Sequence, residues 1–173
     1  TKSDISESLV QAGDKVTEGD EVYFDIFKDH PLLSGNILDV GCGWGRFFSF
    51  FRKQGLSVFG VDISIAMVQM YDQSELFGDY VIPPLVAEAE HIPFPDSSFD
   101  NLACLAVFDA TFQDRSIAEF LRVLKSGGQL YLTGKNINYF EDDELAVEAE
   151  FGAAKKGHPN YFTDVNFLIK TLV

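Results

Sequence analysis

The sequence predicts a doubly wound α/β fold, a mainly parallel sheet with helices on both faces, and three observations lead to it. Short apolar runs of strand length alternate with stretches of helical spacing along most of the chain. One of those runs, Asn101–Val107, is apolar without alternation, as a strand buried on both faces requires. The glycines and acids that stand out fall directly after the strands, where parallel sheets of this type bind their ligands.

The first strand is expected over Asn36–Val40, followed by a glycine-rich turn and a helix from Arg46 to Gln54. A second strand, Ser57–Val61, ends at Asp62, and Ser64 offers its hydroxyl as cap to a helix running through Tyr71. A third short strand covers roughly Pro84–Ala87, and the fourth is Asn101–Val107. Ile117–Leu124 has helical spacing and ends in Lys125-Ser126-Gly127-Gly128, which reads as a helix C-cap and turn. A fifth strand, Gln129–Thr133, comes next. Strands separated by helices imply right-handed crossovers, and these place helices on both faces of the sheet. Beyond it, Glu141–Phe151 reads as a solvated acidic helix, and 160–168 as a capped helix start followed by helix. The chain is therefore expected to be a single domain, with a helical cap over 1–35, a core over 36–134 and a helical tail over 135–173.

Composition narrows the function. At 173 residues, with 17 Phe and 46% hydrophobic residues, the chain can bury a substantial core. Thirteen basic residues against 27 acidic ones give a formal net charge of −14, a field that repels phosphate backbones and anionic lipids. Nucleic acid and membrane are accordingly not expected as partners. Cys42 and Cys104 lack metal-site spacing and read as reduced thiols of a cytoplasmic protein. His30, His91 and His158 are scattered, so no metal site is expected.

The chemistry is concentrated in Asp39-Val40-Gly41-Cys42-Gly43-Trp44-Gly45. Glycines there allow a tight turn and close approach of the backbone to a ligand, though such loops also serve plain strand–helix packing. Asp62 ends the second strand at the ~20-residue spacing at which an acid meets ribose hydroxyls, and a carboxylate can accept both bonds of a vicinal diol. A nicotinamide fingerprint would need glycine at position 46, where Arg46 stands.

With these residues in place the chain resembles the class I S-adenosylmethionine-dependent methyltransferases, in particular their broad type 11 group. The resemblance rests on residues 37–47, 58–64, 87–100 and 121–128, in the family's order and spacing. It implies a Rossmann-like fold, S-adenosylmethionine as cofactor, and a small molecule as methyl acceptor through an O, N or C nucleophile. It further implies that Asp39 and the backbone of Gly41, Cys42 and Gly43 border the methionine part of the cofactor. Asp62 would hold the ribose, Ile63 and Met67 would lie against the adenine, and Glu88 and the Ala89 N–H would meet the adenine edge. Leu105 would lie by the sulfonium. Glu88 stands where the family usually has Asp, and Ser126 where it often has proline. The antiparallel strand pair that usually completes the family's sheet is not found in the sequence. Asp109, after the fourth strand, is the candidate to orient or deprotonate an acceptor, with an ordinary loop acid as the alternative. Trp44 is read either as a cover for the cofactor or as packing, and Tyr23 and Phe24 as helix packing rather than a lid. Two other functions stay open: a non-catalytic S-adenosylmethionine-binding module, and a nucleotide-linked oxidoreductase.

Overall fold

A computed structural model describes residues 23–71, 82–135, 151 and 161–172 of the chain. The chain divides into two compact units, Thr1–Leu32 and Leu33–Val173. In the first, residues 23–29 form helix α1, with Lys28 paired to Asp25 on its surface at 2.6 Å. Tyr23 and Phe24 lie in this helix. The acidic segment expected as a helix falls outside the described residues apart from Phe151, which is helical.

The second unit is built on a five-stranded sheet. Its strands are β1 (Asn36–Val40), β2 (Ser57–Asp62), β3 (Leu85–Val86), β4 (Phe99–Cys104) and β5 (Leu124–Leu132). They lie in the order β3-β2-β1-β4-β5, and every pairing is parallel. Helices α2 (Phe48–Lys53), α3 (Ile65–Tyr71) and α4 (Gln113–Val123) join the strands, and α5 (Val165–Leu172) follows the sheet. Strand order reverses between β1 and β4, so a crevice opens where their carboxyl ends diverge.

The central strands are apolar because both their faces are covered. Ile37, Leu38 and Val40 of β1 and Leu102, Ala103 and Cys104 of β4 are buried. Two polar residues of β4 hold the start of β1. The Asn101 side-chain amide donates to Leu33 O at 2.8 Å and accepts from Leu33 N–H at 2.9 Å. The Asp100 carboxylate accepts from Asn36 N–H and from the Lys125 ammonium, both at 2.9 Å. On one face of the sheet, α2 seats the Phe48 ring on Gly60, where a Cβ would lie 2.4 Å from the ring. α4 buries Ser116, Ile117, Phe120 and Val123, one stripe at helical spacing.

Several boundaries differ from the sequence expectation; α2 is Phe48–Lys53 rather than Arg46–Gln54, and three other differences have a local cause. α4 begins at Gln113 rather than Ile117, because its first turn, Gln113-Asp114-Arg115-Ser116, is polar and carries no apolar period. Lys125-Ser126-Gly127-Gly128 is not a turn before β5 but a bulge within it. Phe99 pairs with Leu124 and Asn101 with Gln129, so four residues of β5 stand opposite Asp100 alone. The bulge brings Lys125 onto Asp100. β4 stops at Cys104 instead of Val107, since Ala106 takes a left-handed conformation (φ 60°) and breaks the pairing. That conformation costs a non-glycine residue about 1–2 kcal/mol, and the bond from Ala106 N–H to Thr133 Oγ1 at 2.7 Å holds it in place. Leu105 therefore lies just past the strand, where it is buried.

Candidate cofactor site

The glycine-rich turn leaves β1 and folds directly against the end of β2. Gly41 N–H and Cys42 N–H both donate to Val61 O, at 2.8 and 3.1 Å. Gly41 has φ 73°, and a Cβ there would lie 2.6 Å from a Val107 methyl, so only glycine lets the turn pass under the β4–α4 loop. Asp62 pins the turn from the neighbouring strand. Its Oδ2 accepts from Gly43 N–H at 2.7 Å and its Oδ1 from Ser64 N–H at 2.8 Å. Each carboxylate oxygen still has a lone pair for a further donor. Ser64 Oγ accepts from Met67 N–H at 3.4 Å, the cap expected for α3.

An open cleft of about 460 Å³ lies at this end of the sheet. Val40, Gly41, Asp62 and Ile63 line it from β1 and β2, Ala87, Ala89 and Glu90 from the β3–β4 loop, and Val107, Ala110 and Thr111 from the β4–α4 loop. Of the residues singled out in the sequence, Gly41, Asp62, Ile63 and Ala89 are thus brought together around one cleft. Ile63 is 71% exposed, an apolar side chain held open to the solvent at the end of β2, and Met67 is exposed on α3. Cys42 and Leu105 are buried and do not line the cleft, nor do Gly43 and Met67. Glu88 points to His91 in an exposed pair at 3.3 Å, while Glu90, two residues on, lines the cleft. Sequence reasoning passed over Glu90, Val107, Ala110 and Thr111. Glu90 lay in view as the second acid of Glu88-Ala89-Glu90, but which of the two faces inward depends on the turn there.

Asp62 and Glu90 are the carboxylates that line the cleft, and two more, Asp39 and Asp109, are buried next in sequence to the lining residues Val40 and Ala110. Asp39 is 2% exposed, its Oδ2 has no hydrogen-bond partner, and burial together with nearby Asp62 pushes its pKa up to about 8. The Cys104 thiol is raised by burial and then by the charges of Asp39, Asp109 and Glu90. Burial, Asp39 and Asp62 raise the Cys42 thiol in the same way. Both thiols therefore stay protonated and are unsuited to nucleophilic work. Asp109, in a 3-10 turn over Phe108–Ala110, is buried and paired with Lys135 at 3.4 Å. Its backbone O accepts from Tyr161 N–H at 2.8 Å, which ties residues 161–164 to this rim. Among the described residues no His, Cys, Asp and Glu group is placed to hold a metal ion, and no helix is long and apolar enough to cross a membrane.

A family model described as a methyltransferase domain matches residues 38–132, which is the sheet from β1 to β5 with both cleft loops. The chain is 33% identical over 147 residues to methyltransferase GfsG of Streptomyces halstedii, covering 82% of this chain and 51% of that protein. It is 36% identical over 111 residues to the ubiquinone/menaquinone biosynthesis C-methyltransferase UbiE of Bordetella avium, covering 62% and 43%. The chain thus spans about half the length of these curated relatives. A crystal structure of a putative methyltransferase from Bacillus halodurans shares the fold, with a TM-score of 0.62 at 22% identity, covering 83% of this chain and 64% of that one. From its matched core, its parallel sheet and its relatives, the chain belongs to the S-adenosylmethionine-dependent methyltransferase family, with the Rossmann-like fold of that family.

Proposed function

We propose that this domain transfers a methyl group from S-adenosylmethionine to an O, N or C nucleophile of a small molecule. The observation that carries this reading is the acidic floor of an otherwise apolar cleft, whose lining holds the Asp62 and Glu90 carboxylates and no basic side chain. Such a floor favours a cationic ligand and repels the pyrophosphate of a dinucleotide. This weighs against the oxidoreductase alternative, as Arg46 in the fingerprint position does.

The residues present fit the cofactor. The unpartnered Asp39 Oδ2 calls for a donor such as an ammonium group, and the backbone of Gly41, Cys42 and Gly43 follows it in the turn, with open space where a Gly43 side chain would stand. The spare lone pairs of Asp62 suit ribose hydroxyls. Ile63 and Met67 offer apolar surface to the adenine, and the Ala89 N–H with Glu88, released from its exposed pair with His91, would read its edge. Leu105 would back the reacting end. When bound, the cofactor supplies a methyl group already activated by the sulfonium charge. The protein's share is then alignment of donor and acceptor, an effect worth ~7–11 kcal/mol where it is complete. Asp109, next to Ala110 in the cleft wall, is the candidate to hold or accept an acceptor proton, and full turnover by Asp109→Ala would remove it from that role.

Calorimetric titration tests the reading. S-adenosylmethionine and S-adenosylhomocysteine should bind saturably, nicotinamide dinucleotide should not, and Asp62→Ala should weaken both adenosyl ligands by about tenfold or more. Because Asp62 also pins the glycine turn, a thermal melt of the variant separates lost affinity from lost fold. Binding of the dinucleotide, or of none of the three, would overturn the proposal. A second reading, a non-catalytic cofactor-binding module, is favoured by the engagement of Asp109 with Lys135. It predicts cofactor binding without turnover on any acceptor.

A further inference from the structure

Two loops meet at the cleft, and one side chain joins them there. Glu90, on the β3–β4 loop beside Ala87 and Ala89, lines the cleft. Its Oε1 accepts the backbone N–H of Phe112 at 2.6 Å. Phe112 ends the β4–α4 loop, directly after Ala110 and Thr111, which line the same cleft. The bond is charge-assisted, and the carboxylate sits at the positive end of the α4 dipole.

Phe112 is held at its carbonyl as well, which accepts from Arg115 N–H and Ser116 N–H at 2.9 and 3.0 Å. Upstream, the loop is hydrogen-bonded to itself. Ala110 N–H donates to Val107 O, Thr111 N–H to Phe108 O, and Thr111 Oγ1 to Phe108 O again. Val107 in turn packs over Gly41 of the glycine turn. Glu90 is thus linked through Phe112 and the 3-10 turn to Val107, and through Val107 to the glycine turn.

We propose that Glu90 is a positioning residue. By holding Phe112 N–H it locks the loop that carries Ala87 and Ala89 to the loop that carries Val107, Ala110 and Thr111, so that a ligand seated on one finds the other already in place. The inference rests on the methyltransferase reading for what the two loops hold, cofactor on the first and acceptor end on the second. Removing either end of the bond should let the cleft open and weaken the ligand that spans it.

The backbone allows the donor to be deleted cleanly. Phe112 has φ −78° and Thr111 has φ −117° and ψ 166°, values that suit proline and the residue before it. Phe112→Pro thus removes the N–H with little strain, while Phe112→Ala removes the ring and keeps the N–H. Affinity for S-adenosylhomocysteine is measured by calorimetry on the 173-residue chain and on Glu90→Ala, Phe112→Pro, their double variant, Phe112→Ala and Glu90→Gln. Glu90→Ala and Phe112→Pro should each weaken binding by about three- to tenfold, and the double variant no further. Phe112→Ala should stay near the parent, and Glu90→Gln, which keeps an acceptor oxygen, should recover part of the loss. A merely structural role would lower melting temperatures and leave the affinity of the folded protein unchanged. Additive losses in the double variant, or equal affinities for Phe112→Pro and Phe112→Ala, overturn the inference while the parent still binds. If Glu90→Ala does not fold, Glu90→Gln and the two Phe112 variants decide the matter alone. Failure of the parent to bind overturns the methyltransferase reading itself, and the inference with it.

Discussion

A carboxyl group in the middle of a buried strand must find a donor or keep its proton. Asp39 does the second: burial and the charge of Asp62 raise its pKa from 3.8 to about 8, and its Oδ2 is unpartnered. The consequence for stability follows from linkage. Between pH 4 and 8 the folded protein holds a proton on Asp39 that the unfolded chain has given up, so the contribution of this group is most favourable below pH 4 and is lost as pH rises toward 8. The loss amounts to a few kcal/mol, at about 1.4 kcal/mol per pKa unit. Asp39→Asn carries no titrating group there, so this fall should be missing from its denaturant-unfolding profile across the same pH range. If the cofactor's ammonium group meets Asp39 as we propose, binding at pH 7 should release about one proton. Calorimetry in two buffers of different ionisation enthalpy measures that number directly, and a value of zero would place Asp39 away from the ligand. The Cys42 and Cys104 thiols beside Asp39 do not confuse the measurement, because both are raised and stay neutral over this range.

At the scale of the element, β1 and β2 were legible because their apolar runs stop at glycine or aspartate, and the structure keeps the boundaries read from them to within one residue. Elements whose ends depend on tertiary contacts were less so. The Lys125–Gly128 segment carries turn residues, yet it bulges within a strand because Lys125 finds the Asp100 carboxylate there. The β3–β4 loop had no period at all to read, and α4 gives it its shape. Arg122 makes five bonds: two to Glu119 at 2.7 and 2.8 Å, one to Asp96 at 2.8 Å, and one each to the carbonyls of Phe94 and Ile92 at 2.8 and 2.9 Å. Glu119 completes the clamp by accepting from Ile92 N–H at 2.9 Å, and Arg122 and this bond together hold its carboxyl below the usual range. The pairs are partly exposed, so screening takes a share of their worth. Arg122→Ala should cost about 1–3 kcal/mol of stability, and a domain of this size then melts about 2–4 °C lower per kcal/mol. Arg122→Lys should recover only a fraction, because one ammonium cannot span carboxylates and carbonyls that a planar fork reaches together.

The whole molecule sets the last terms of the argument. The parts of the site that stand at the ends of the first two strands, the glycine turn and Asp62, were readable from spacing. Glu90, Val107 and Thr111 were not, because they converge only once β4 lies beside β1 and the left-handed Ala106 turns the chain inward. Net charge was readable too, and at −14 it acts on any ligand approaching the cleft. Ionised acids near the floor lie within roughly a Debye length of a ligand at physiological salt, ~8 Å, so the field there is only partly screened. S-adenosylmethionine carries one more positive charge than S-adenosylhomocysteine, whereas the two share every hydrogen-bonding group. The acidic floor should therefore tell them apart through ionic strength. Raising salt from about 0.05 to about 0.5 M should weaken S-adenosylmethionine several-fold and S-adenosylhomocysteine much less, as expected of a cation drawn by a negative field. Calorimetric titrations of both ligands at matched pH supply the two salt slopes. Parallel slopes would mean that Lys135 and other cations cancel the acids where the sulfonium sits, and the preference for a cationic ligand would then have to come from contacts rather than from the field.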